Sequence, residues 1–583
     1  MNRKQRRATL KHGPSPGARH SDSTGDQINQ LFFKAAEYER VRKFDDAARA
    51  YRHVLLLKPD HAEACNNLAR VLQTQGKTKE ASTFYARALA LMPQLLEQYA
   101  GICATLIALL PPLGEALKRQ AATWPKQLTE VELLGDAGLA AVAADPLLLY
   151  LLQSMPVRDV AFERLLTSLR SSLLINATTD KTVSETGLGF ACALARQCFI
   201  NEYVFATTPE EDAQVERLKR ALNDAIASGV SFDPIQLAVL AMYEPLYALA
   251  FAPVLLDRRW TPAIDELLTQ QAREPRHETE LRDSIPRLTS IEDKVSQQVR
   301  QQYEENPYPR WVHAAGQVAP ILIDQYLREQ FPTSAFVPLG KTDALDMLVA
   351  GCGTGQIAIA SAQKYLGTHV LAIDLSLSSL CYAKRKTPAA VAERIDYAQA
   401  DILKLSTIGR NFDVVDASGV LHHMADPLEG WHILLSLVRS GGLMHLGFYS
   451  VAGRSDVVAA RSFIAERGFG STPAEIRRCR QEILKTHLAS VTRFTDFFSS
   501  SECRDLLFHV QESHLTIPQI KNFVAQNGLR FLGFEFHAET ASRYRSLFVQ
   551  QGWSMTDLDR WHTVETKYPD TFSGMYHFWV QKP

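Results

Sequence analysis

The stretch ALDMLVAGCGTGQIAIASA, residues 344–362, decides the fold of the C-terminal half of the chain. Its apolar run Leu345–Ala350 predicts a buried strand, and the apolar spacing from Gln356 onward predicts a helix. Three glycines at alternate positions join the two elements. Such a strand–turn–helix lets the backbone approach a ligand closely, with amide groups at the start of the helix. A dinucleotide-binding loop would need glycine where Gln356 stands.

Further strands follow at regular spacing. HVLAIDLS (369–376) predicts a second strand that ends at Asp374, and a carboxylate at that place can accept hydrogen bonds from a ribose. AERIDYAQADIL (392–403) predicts a third strand that ends at Asp401. FDVVDASGVLHHMADP (412–427) and LVRSGGLMHLGFYS (437–450) supply the fourth strand with its loop and the fifth strand.

These five elements, in this order, resemble the class I S-adenosylmethionine-dependent methyltransferases. The resemblance covers about residues 290–583, with GLRFLGFEF (528–536) and MYHFWVQKP (575–583) as the last two strands. It implies an α/β Rossmann-like domain of seven strands, S-adenosyl-L-methionine as cofactor, and methyltransferase activity. The cofactor-binding residues that it implies are Gly351, Cys352, Gly353, Thr354, Gly355, Gln356, Asp374, Leu375, Asp401, Ile402 and Ser418.

One residue departs from the family pattern. The family usually has Asp or Glu two residues before the first glycine, where it helps to order the loop and the methionine amino group. Val349 stands there in this chain. Another residue or a backbone carbonyl must then meet the ammonium group, and we expect a lower cofactor affinity than is usual.

The loop after the fourth strand carries the candidate catalytic residues His422 and His423. Methyl transfer depends largely on positioning, and a base is needed only where the acceptor must lose a proton. Either histidine could be that base near neutral pH. Either could instead be structural and position the loop. This loop resembles methyltransferases for small molecules or for oxygen and carbon acceptors.

The stretch QQYEENPYPRW, residues 301–311, contains Asn306-Pro307-Tyr308-Pro309, which looks like the catalytic loop of some amino-methyltransferases. That identity fails, because the fourth strand already has its own loop. The two prolines enforce extended backbone before them. We expect either a lid, with Tyr303 and Tyr308 on the cofactor and Trp311 near the substrate, or an aromatic clasp that joins two domains.

A helical insertion is predicted at about 453–527, between the fifth and sixth strands. In this fold such an insertion often supplies a lid and substrate contacts, which is an analogy of fold. Its candidate substrate or lid residues are Arg504, Asp505 and His509. Alternatively, Arg504 and Asp505 pair with neighbours on a solvated helix face. No metal site is predicted.

The N-terminal part repeats itself at one fixed interval, which separates Tyr51 from Tyr85, Ala47 from Ala81 and Pro59 from Pro93. That interval and pattern resemble tetratricopeptide repeats, whose unit is about 34 residues long. We assign residues 26–110 to two such repeats and a capping helix at about 95–110. They form either a groove for a protein or peptide partner or a packing module for a neighbouring domain.

The remaining segments are a disordered basic tail over residues 1–25 and an all-helical domain over 111–285. The full chain of 583 residues has a net charge of −1, which argues against a global footprint for nucleic acid. Its eight cysteines form no CxxC pair, which favours reduced thiols and a cytoplasmic location. No segment is apolar for long enough to predict a membrane span.

Together these patterns predict a multidomain protein with an all-α N-terminal half and an α/β methyltransferase domain. The favoured function is methyl transfer from S-adenosylmethionine to an unassigned acceptor, either a small molecule or a protein recruited by the repeats. The alternative is an inactive methyltransferase-like scaffold that acts through protein binding by the tetratricopeptide repeats.

Overall fold

The computed structural model describes residues 16–93, 95, 99–179, 184–314, 319–536, 538–548 and 554–583. The chain forms two compact units, Met1–Leu152 with Ser184–Phe190, and Gln153–Val183 with Ala191–Pro583. Residues 1–15 of the predicted basic tail lie outside the described residues, and a helix begins at Pro16, inside the predicted tail. The predicted domain boundaries stay predictions.

The first unit is helical. Its helices are α1 (Pro16–Arg40), α2 (Phe44–Leu57), α3 (Ala62–Thr74), α4 (Thr78–Leu91), α5 (Tyr99–Leu109), α6 (Pro111–Thr123), α7 (Glu130–Leu134) and α8 (Pro146–Ser154), whose last residues enter the second unit. Helices α2 and α4 begin and end at positions separated by the same interval as the sequence repeat.

Side-chain hydrogen bonds recur at the same interval. Tyr51 Oη donates a hydrogen bond to Glu39 at 3.2 Å, and Tyr85 Oη donates one to Gln73 at 2.9 Å, so donor and acceptor both recur at the repeat interval. Ala47 and Ala81 are fully buried, as small residues must be where repeat helices touch. The predicted repeats are therefore confirmed, and α5 falls where a capping helix is predicted.

The helices of the second unit that precede the sheet are α9 (Val160–Ala177), α10 (Glu185–Ile200, whose first residues belong to the first unit), α11 (Pro209–Ala227), α12 (Pro234–Leu240), α13 (Ala252–Leu256), α14 (Pro262–Leu268), α15 (Glu274–Leu281), α16 (Lys294–Glu305) and α17 (Ile323–Gln330). Among the described residues no single helix is long and apolar enough to cross a membrane. Two sharply bent helix pairs, Gly101–Leu109 with Pro111–Thr123 and Glu130–Ala141 with Pro146–Ser154, meet the length and composition criteria only in combination.

A mixed sheet forms the centre of the C-terminal half. Its strands are β1 (Leu345–Ala350), β2 (Thr368–Asp374), β3 (Ile395–Gln399), β4 (Phe412–Ser418), β5 (Val438–Ser450), β6 (His514–Leu515), β7 (Arg530–Glu535) and β8 (Tyr576–Gln581). The strand order is β3-β2-β1-β4-β5-β8-β7, and β6 pairs with β5 off this path. Strands β1 to β5 pair in parallel, whereas β8 is antiparallel to both β5 and β7.

Strand β1 shows why this sheet is buried on both faces. Leu348 and Ala350 belong to one hydrophobic core, and Met347 and Val349 belong to the other. Successive strand residues point to opposite faces, so a continuous apolar run is what a strand covered on both sides requires. The predicted Rossmann-like architecture is confirmed.

Helices flank these strands. They are α18 (Gln356–Lys364), α19 (Leu377–Lys386), α20 (Ala389–Ala392), α21 (Pro427–Ser436), α22 (Ser455–Arg467), α23 (Pro473–Ile483), α24 (Ser500–Phe508), α25 (Ile517–Gln526), α26 (Ala538–Leu547) and α27 (Leu558–Lys567). Helices α22 to α24 follow β5 and have a core of their own. Both terminal nitrogens of the fully buried Arg480 in α23 donate to Glu163 in α9, at 3.1 and 2.7 Å, which ties these helices to the helical segment of the same unit.

Candidate functional site

A cavity of about 310 Å³ lies at the carboxyl ends of β1, β2 and β4. This edge is where open α/β sheets bind ligands, and the volume falls within the range of small-molecule sites. Fourteen residues of the sequence prediction line it. They are Gly351, Cys352, Gly353, Thr354, Gln356, Asp374, Leu375, Asp401, Ile402, Ser418, Tyr303, Tyr308, His423 and Asp505.

The glycine loop forms the floor of the cavity. Gly353 has φ +49°, and a Cβ there would lie 2.8 Å from the carbonyl oxygen of Tyr308. Only glycine lets the loop and the extended segment of residues 306–311, which we call the strap, approach so closely. Gly355 does not line the cavity. A Cβ there would lie 2.6 Å from that of Ala383, so Gly355 allows α18 to pack against α19.

Asp374 lies at the end of β2. Its two carboxylate oxygens each accept a backbone N–H at 2.8 Å, one from Gly353 and one from Ser376. Burial raises the pKa of Asp374 to about 6, although these hydrogen bonds oppose the shift. Asp374 thus fixes the glycine loop and keeps lone pairs for a ligand, because a carboxylate oxygen can accept more than one hydrogen bond.

Asp401 follows β3 on the same cavity wall. Its Oδ1 accepts the N–H of Leu403 at 3.0 Å, whereas Oδ2 is buried and has no hydrogen-bond partner among the described residues. Burial raises the pKa of this carboxyl group, although the Leu403 N–H and the nearby Ser296 hydroxyl oppose the shift. A buried acceptor without a partner is costly to the fold, so a ligand that donates a hydrogen bond here would relieve that cost.

Helix α16 covers the cavity with one face, formed by Ser296, Val299 and Tyr303. Its position is fixed by Glu304, which accepts the N–H of Leu377 at 2.6 Å and the hydroxyl of Ser378 at 2.7 Å. Ser296 and Val299 were not predicted as site residues. Their spacing with Tyr303 follows the helical repeat and could have identified that face once a cavity was known.

The strap, which follows α16, contacts both the cavity and the glycine loop. Tyr308 lines the cavity, and the carbonyl oxygen of Pro309 accepts the Thr354 hydroxyl at 2.5 Å. Trp311 does not line the cavity. It is buried, and its indole N–H donates to the Thr354 carbonyl at 3.2 Å. Tyr308 therefore contributes to the cavity wall, whereas Trp311 holds the strap against the glycine loop.

The other end of the cavity holds a buried polar cluster around the Tyr303 hydroxyl. That hydroxyl donates to Asp505 Oδ1 at 2.5 Å and lies 3.3 Å from His423 Nε2 and 3.1 Å from His509 Nε2. Burial raises the pKa of Asp505 to about 7 and lowers that of His423 to about 4. At neutral pH His423 is therefore a neutral imidazole, and Asp505 titrates.

Three predicted residues, one of them a member of this cluster, do not line the cavity. His422 is buried, with its Nε2 3.1 Å from His423 Nε2 and its ring centroid 4.0 Å from that of Tyr449. His509 backs the Tyr303 hydroxyl. Arg504 donates to Glu305 at 2.7 Å and to Asn306 at 2.8 Å, which ties α24 to the strap.

The backbone of Gln511 sets the protonation of both cluster imidazoles. Its carbonyl lies 3.0 Å from His423 Nδ1 and can only accept, so His423 carries its hydrogen on Nδ1. Its N–H donates to His509 Nδ1 at 3.0 Å, so neutral His509 carries its hydrogen on Nε2. The two rings therefore present opposite atoms to Tyr303, a lone pair from His423 and an N–H from His509.

The sequence predicts no metal site, yet ligand atoms of His423, Asp505 and His509 all lie within 4.8 Å of one another. Histidine binds a metal through a nitrogen lone pair. The N–H of Gln511 holds the hydrogen of His509 on the nitrogen that would have to ligate. The hydrogen bonds of the described residues thus suit proton handling better than an ion.

The sequence missed Tyr449 and Met575, which also line the cavity. Tyr449 lies near the carboxyl end of β5, where site residues of parallel sheets gather, and that position was a usable signal. Met575 precedes β8, which carries no such signal. Val349 is buried in the core below the loop, so no carboxylate stands at the usual acidic position.

Residues 347–442 match the model of a methyltransferase domain family, and residues 41–106 match that of tetratricopeptide repeats. The chain carries a methyltransferase domain and tetratricopeptide repeats. S-adenosyl-L-methionine is the cofactor of such a domain, and the site fits it: glycines that leave room for a close backbone approach, the carboxylate of Asp374 and the unpartnered oxygen of Asp401 meet on one cavity.

The curated relatives that match the chain include a ubiquinone biosynthesis O-methyltransferase of Leptothrix cholodnii, 34% identical over 110 residues, which are 18% of this chain and 46% of that protein. A 27-O-demethylrifamycin SV methyltransferase of Amycolatopsis mediterranei is 31% identical over 24% of this chain and 50% of its own length. An uncharacterized protein of Synechococcus sp. is 27% identical over 42% of this chain and 62% of its own length. The chain thus spans about half the length of the curated relatives that it matches.

Among solved structures, PKMT2 from Rickettsia typhi in complex with AdoHcy is similar with a TM-score of 0.34 and 14% identity. The match covers 45% of this chain and 54% of that chain. A likeness this distant supports no statement about function.

Proposed function

We propose that the chain transfers a methyl group from S-adenosylmethionine to a small organic acceptor bound at the Tyr303–Asp505 end of the cavity. Bound there, the cofactor supplies an electrophilic methyl carbon on a sulfonium sulfur. The observation that carries the proposal is that one continuous cavity joins the glycine loop, Asp374 and Asp401 to the buried polar cluster.

Each part of the cofactor has a matching group on the cavity wall. The loop from Gly351 to Gln356 offers backbone atoms and the start of α18. Asp374 offers lone pairs to ribose hydroxyls, and Asp401 Oδ2 offers an unused acceptor to an amino group on the adenine. Tyr303 and Tyr308 cover the centre, where they exclude water and can face a sulfonium cation through their rings.

Burial favours a small acceptor. His423, Tyr449 and Asp505 each expose less than a tenth of their surface. A bulky folded surface could not reach them, whereas a small molecule or a single extended side chain could. Two of the curated relatives bear names of small-molecule O-methyltransferases, which agrees with this proposal.

The tetratricopeptide repeats suggest protein interaction. We propose that they bind a protein or peptide partner and do not contribute to the cavity, all of whose lining residues belong to the second unit. The inactive scaffold is the weaker alternative, because a scaffold has no need of an unpartnered buried acceptor such as Asp401 Oδ2.

Calorimetry on the full chain with S-adenosylmethionine tests cofactor binding. We expect a dissociation constant in the micromolar range and about tenfold weaker binding by Asp374→Asn, because the amide nitrogen can accept a hydrogen bond neither from the ribose nor from the backbone N–H bound by the oxygen that it replaces. Asp396→Asn, an exposed change on the neighbouring strand β3, is the matched control and should bind normally.

Methyl transfer itself is tested with S-adenosylmethionine labelled on its methyl group, incubated with the chain and a cell extract, followed by separation of the products by size. We expect label in the small-molecule fraction. No cofactor binding up to millimolar concentration would refute the proposal, and label in protein alone would refute a small acceptor.

A further inference from the structure

Asp505 is the one group of the buried cluster that is both a carboxylate and part of the cavity wall. It lies in α24, within the insertion, and only 2% of its surface is exposed. The Tyr303 hydroxyl donates to its Oδ1, and its Oδ2 accepts no hydrogen bond from the described residues. A buried carboxylate on a cavity therefore keeps one oxygen for whatever the cavity holds.

Two independent contacts hold Asp505 where it is. The neighbouring Arg504 binds Glu305 and Asn306 at the end of α16, so α24 and the covering helix are joined. Tyr303, two residues before Glu305, then reaches Asp505 directly. Side-chain contacts thus hold Asp505 against the helix that covers the cavity.

The hydrogens of the cluster are directed toward Asp505. His509 Nε2 carries a hydrogen and donates it to the Tyr303 oxygen, because Gln511 occupies its Nδ1. Tyr303 then uses its own hydrogen on Asp505, the shorter of its two possible bonds. Asp505 is left as the group that can still take up a proton on the side of the cavity.

We propose that Asp505 is the proton acceptor of the methyl transfer, that Tyr303 is its positioning residue, and that the methyl acceptor is an organic hydroxyl group, phenolic or enolic. This inference rests on the proposed function and names its base and its substrate class. It assigns the base to the insertion, whereas the loop histidines were the candidates from the sequence.

The reaction then balances. The acceptor oxygen forms a bond to the methyl carbon, and the bond between that carbon and sulfur breaks with its electron pair on sulfur, which becomes a neutral thioether. The hydroxyl proton passes to Asp505 Oδ2 and gives a neutral carboxylic acid. One positive and one negative charge disappear together, so the buried site ends neutral, which a low-dielectric cavity favours.

Burial and the groups around Asp505 together place its pKa near neutral pH. Burial raises its pKa to about 7, the Tyr303 hydrogen bond and the nearby guanidinium groups lower it, and a neighbouring carboxylate raises it. A base is most effective when its pKa lies near the working pH. The titratable and charged groups that face Asp505 are Tyr303, Tyr308, His423, Tyr449, Arg454, Arg461, Asp496, His509 and Glu512.

His423 is the rival base, since its Nε2 lone pair also faces the cluster. Burial lowers its pKa to about 4, so its neutral imidazole is too weak a base to take a hydroxyl proton efficiently. An amine acceptor is the rival substrate. It would enter as an ammonium ion, form an ion pair with Asp505 and lower its pKa, which would hold the proton on nitrogen and block attack.

The test uses a difference between two ligands. S-adenosylmethionine carries a positive sulfur, whereas S-adenosylhomocysteine carries a neutral one, and both make the same ribose and adenine contacts. Calorimetry of each ligand with the full chain, in buffers of different ionisation enthalpy, measures the protons released on binding. A cation beside Asp505 lowers its pKa, so only S-adenosylmethionine should expel its proton at neutral pH.

We expect S-adenosylmethionine to release up to about 0.5 proton more than S-adenosylhomocysteine, because a carboxyl group with a pKa of about 7 is half protonated at neutral pH. Asp505→Asn should abolish the difference, and the control Asp396→Asn should keep it. An equal release by both ligands from the unaltered chain would overturn the proposal. Failure of both ligands to bind would instead refute the proposed function.

Tyr303→Phe tests the positioning role, because it keeps the ring and removes the hydrogen bond. Loss of that bond should raise the pKa of Asp505, so the midpoint of the proton release against pH should move up by about one unit. An unchanged midpoint would mean that Tyr303 only packs against Asp505 and does not act as its positioning residue. Zn²⁺ binding to the metal-free chain is a separate check. If the chain bound Zn²⁺ and both Asp505→Asn and His509→Ala lost that binding, the cluster would be a metal site and the proton-acceptor role would be overturned.

A further experiment tests the chemical class of the methyl acceptor. The labelled small-molecule products are extracted into an organic solvent from acidic and from alkaline solution. Ethers formed from hydroxyl groups extract from both, and this is the expected result. Extraction from alkaline solution alone would identify methylamines and overturn the hydroxyl assignment.

Discussion

The two ends of the cavity are built differently. At the cofactor end the backbone of residues 351–356 and the carboxylates Asp374 and Asp401 come from consecutive strand–loop units of one sheet. At the acceptor end Tyr303, His423 and Asp505 come from a helix before the sheet, a loop within it and an insertion after β5. The first end is built from elements close together in the chain, whereas the second brings together elements that are far apart in it. Changes at the two ends should therefore have separable effects.

The largest expected effect is at the floor of the cofactor end. Gly353→Ala should weaken binding of S-adenosylmethionine by about 30-fold or more, because a side chain at positive φ that also displaces the Tyr308 carbonyl costs about 2 kcal/mol. Calorimetry measures this change. Gly441→Ala is the matched control, since Gly441 also has positive φ (+78°) but a Cβ there meets no atom within 4 Å.

Equal binding by the Gly353→Ala and Gly441→Ala variants would show that the strap does not need its close approach to the glycine loop. The close packing at Gly353 would then give no reason to expect a separate effect at the cofactor end of the cavity.

A smaller effect is expected from Asp401→Asn. The amide can keep the bond from Leu403 but presents N–H groups where Oδ2 accepts no hydrogen bond, so an adenine amino group would lose its acceptor. We expect about tenfold weaker binding of both S-adenosylmethionine and S-adenosylhomocysteine. A loss confined to S-adenosylmethionine would place Asp401 near the sulfur and contradict its assignment to the cofactor end.

The smallest effect is one of stability and belongs to the acceptor end. The pKa of Asp505 is about 7 in the folded chain and near 4 in an unfolded one, so the folded state binds the proton more tightly. The free energy of unfolding that this group contributes therefore falls as pH rises from about 4 to about 7. Asp505→Asn removes the buried charge and should raise the apparent Tm by a few degrees at about pH 8 and hardly at all at about pH 5.

Thermal denaturation of the two proteins at both pH values measures this shift. An equal gain at both would mean that packing, not ionisation, separates the variants, and a loss at alkaline pH would mean that the carboxylate stabilises the fold. Asp396→Asn again serves as the control, with no shift expected at either pH.

Much of the cofactor end could be predicted because its signals are local. A buried strand, alternate glycines and a helix follow one another directly in the sequence, and the acids Asp374 and Asp401 end the next two strands. The repeats were equally predictable, since their fixed interval is visible without any structure. Gly355 shows the limit, because its glycine serves helix packing and not the ligand.

The acceptor end could be predicted only as a set of candidates. His422 and His423 are adjacent and chemically alike, but the turn after β4 buries one behind the other, so only His423 reaches the cavity. Arg504 and Asp505 are also adjacent, and the direction of α24 sends one to the strap and the other to the cavity. No local pattern distinguishes such neighbours.

By itself, the sequence predicted the successive strands of the methyltransferase domain, the cofactor loop with its two acids, and the repeats, because each of these signals lies in residues close together in the chain. Only the tertiary structure decided what stands opposite the cofactor. Tyr303 and Asp505 are 202 positions apart, and their hydrogen bond exists because the covering helix and the insertion pack over the same sheet edge. A bond between segments so distant in the chain is set by packing, which composition and spacing do not encode locally.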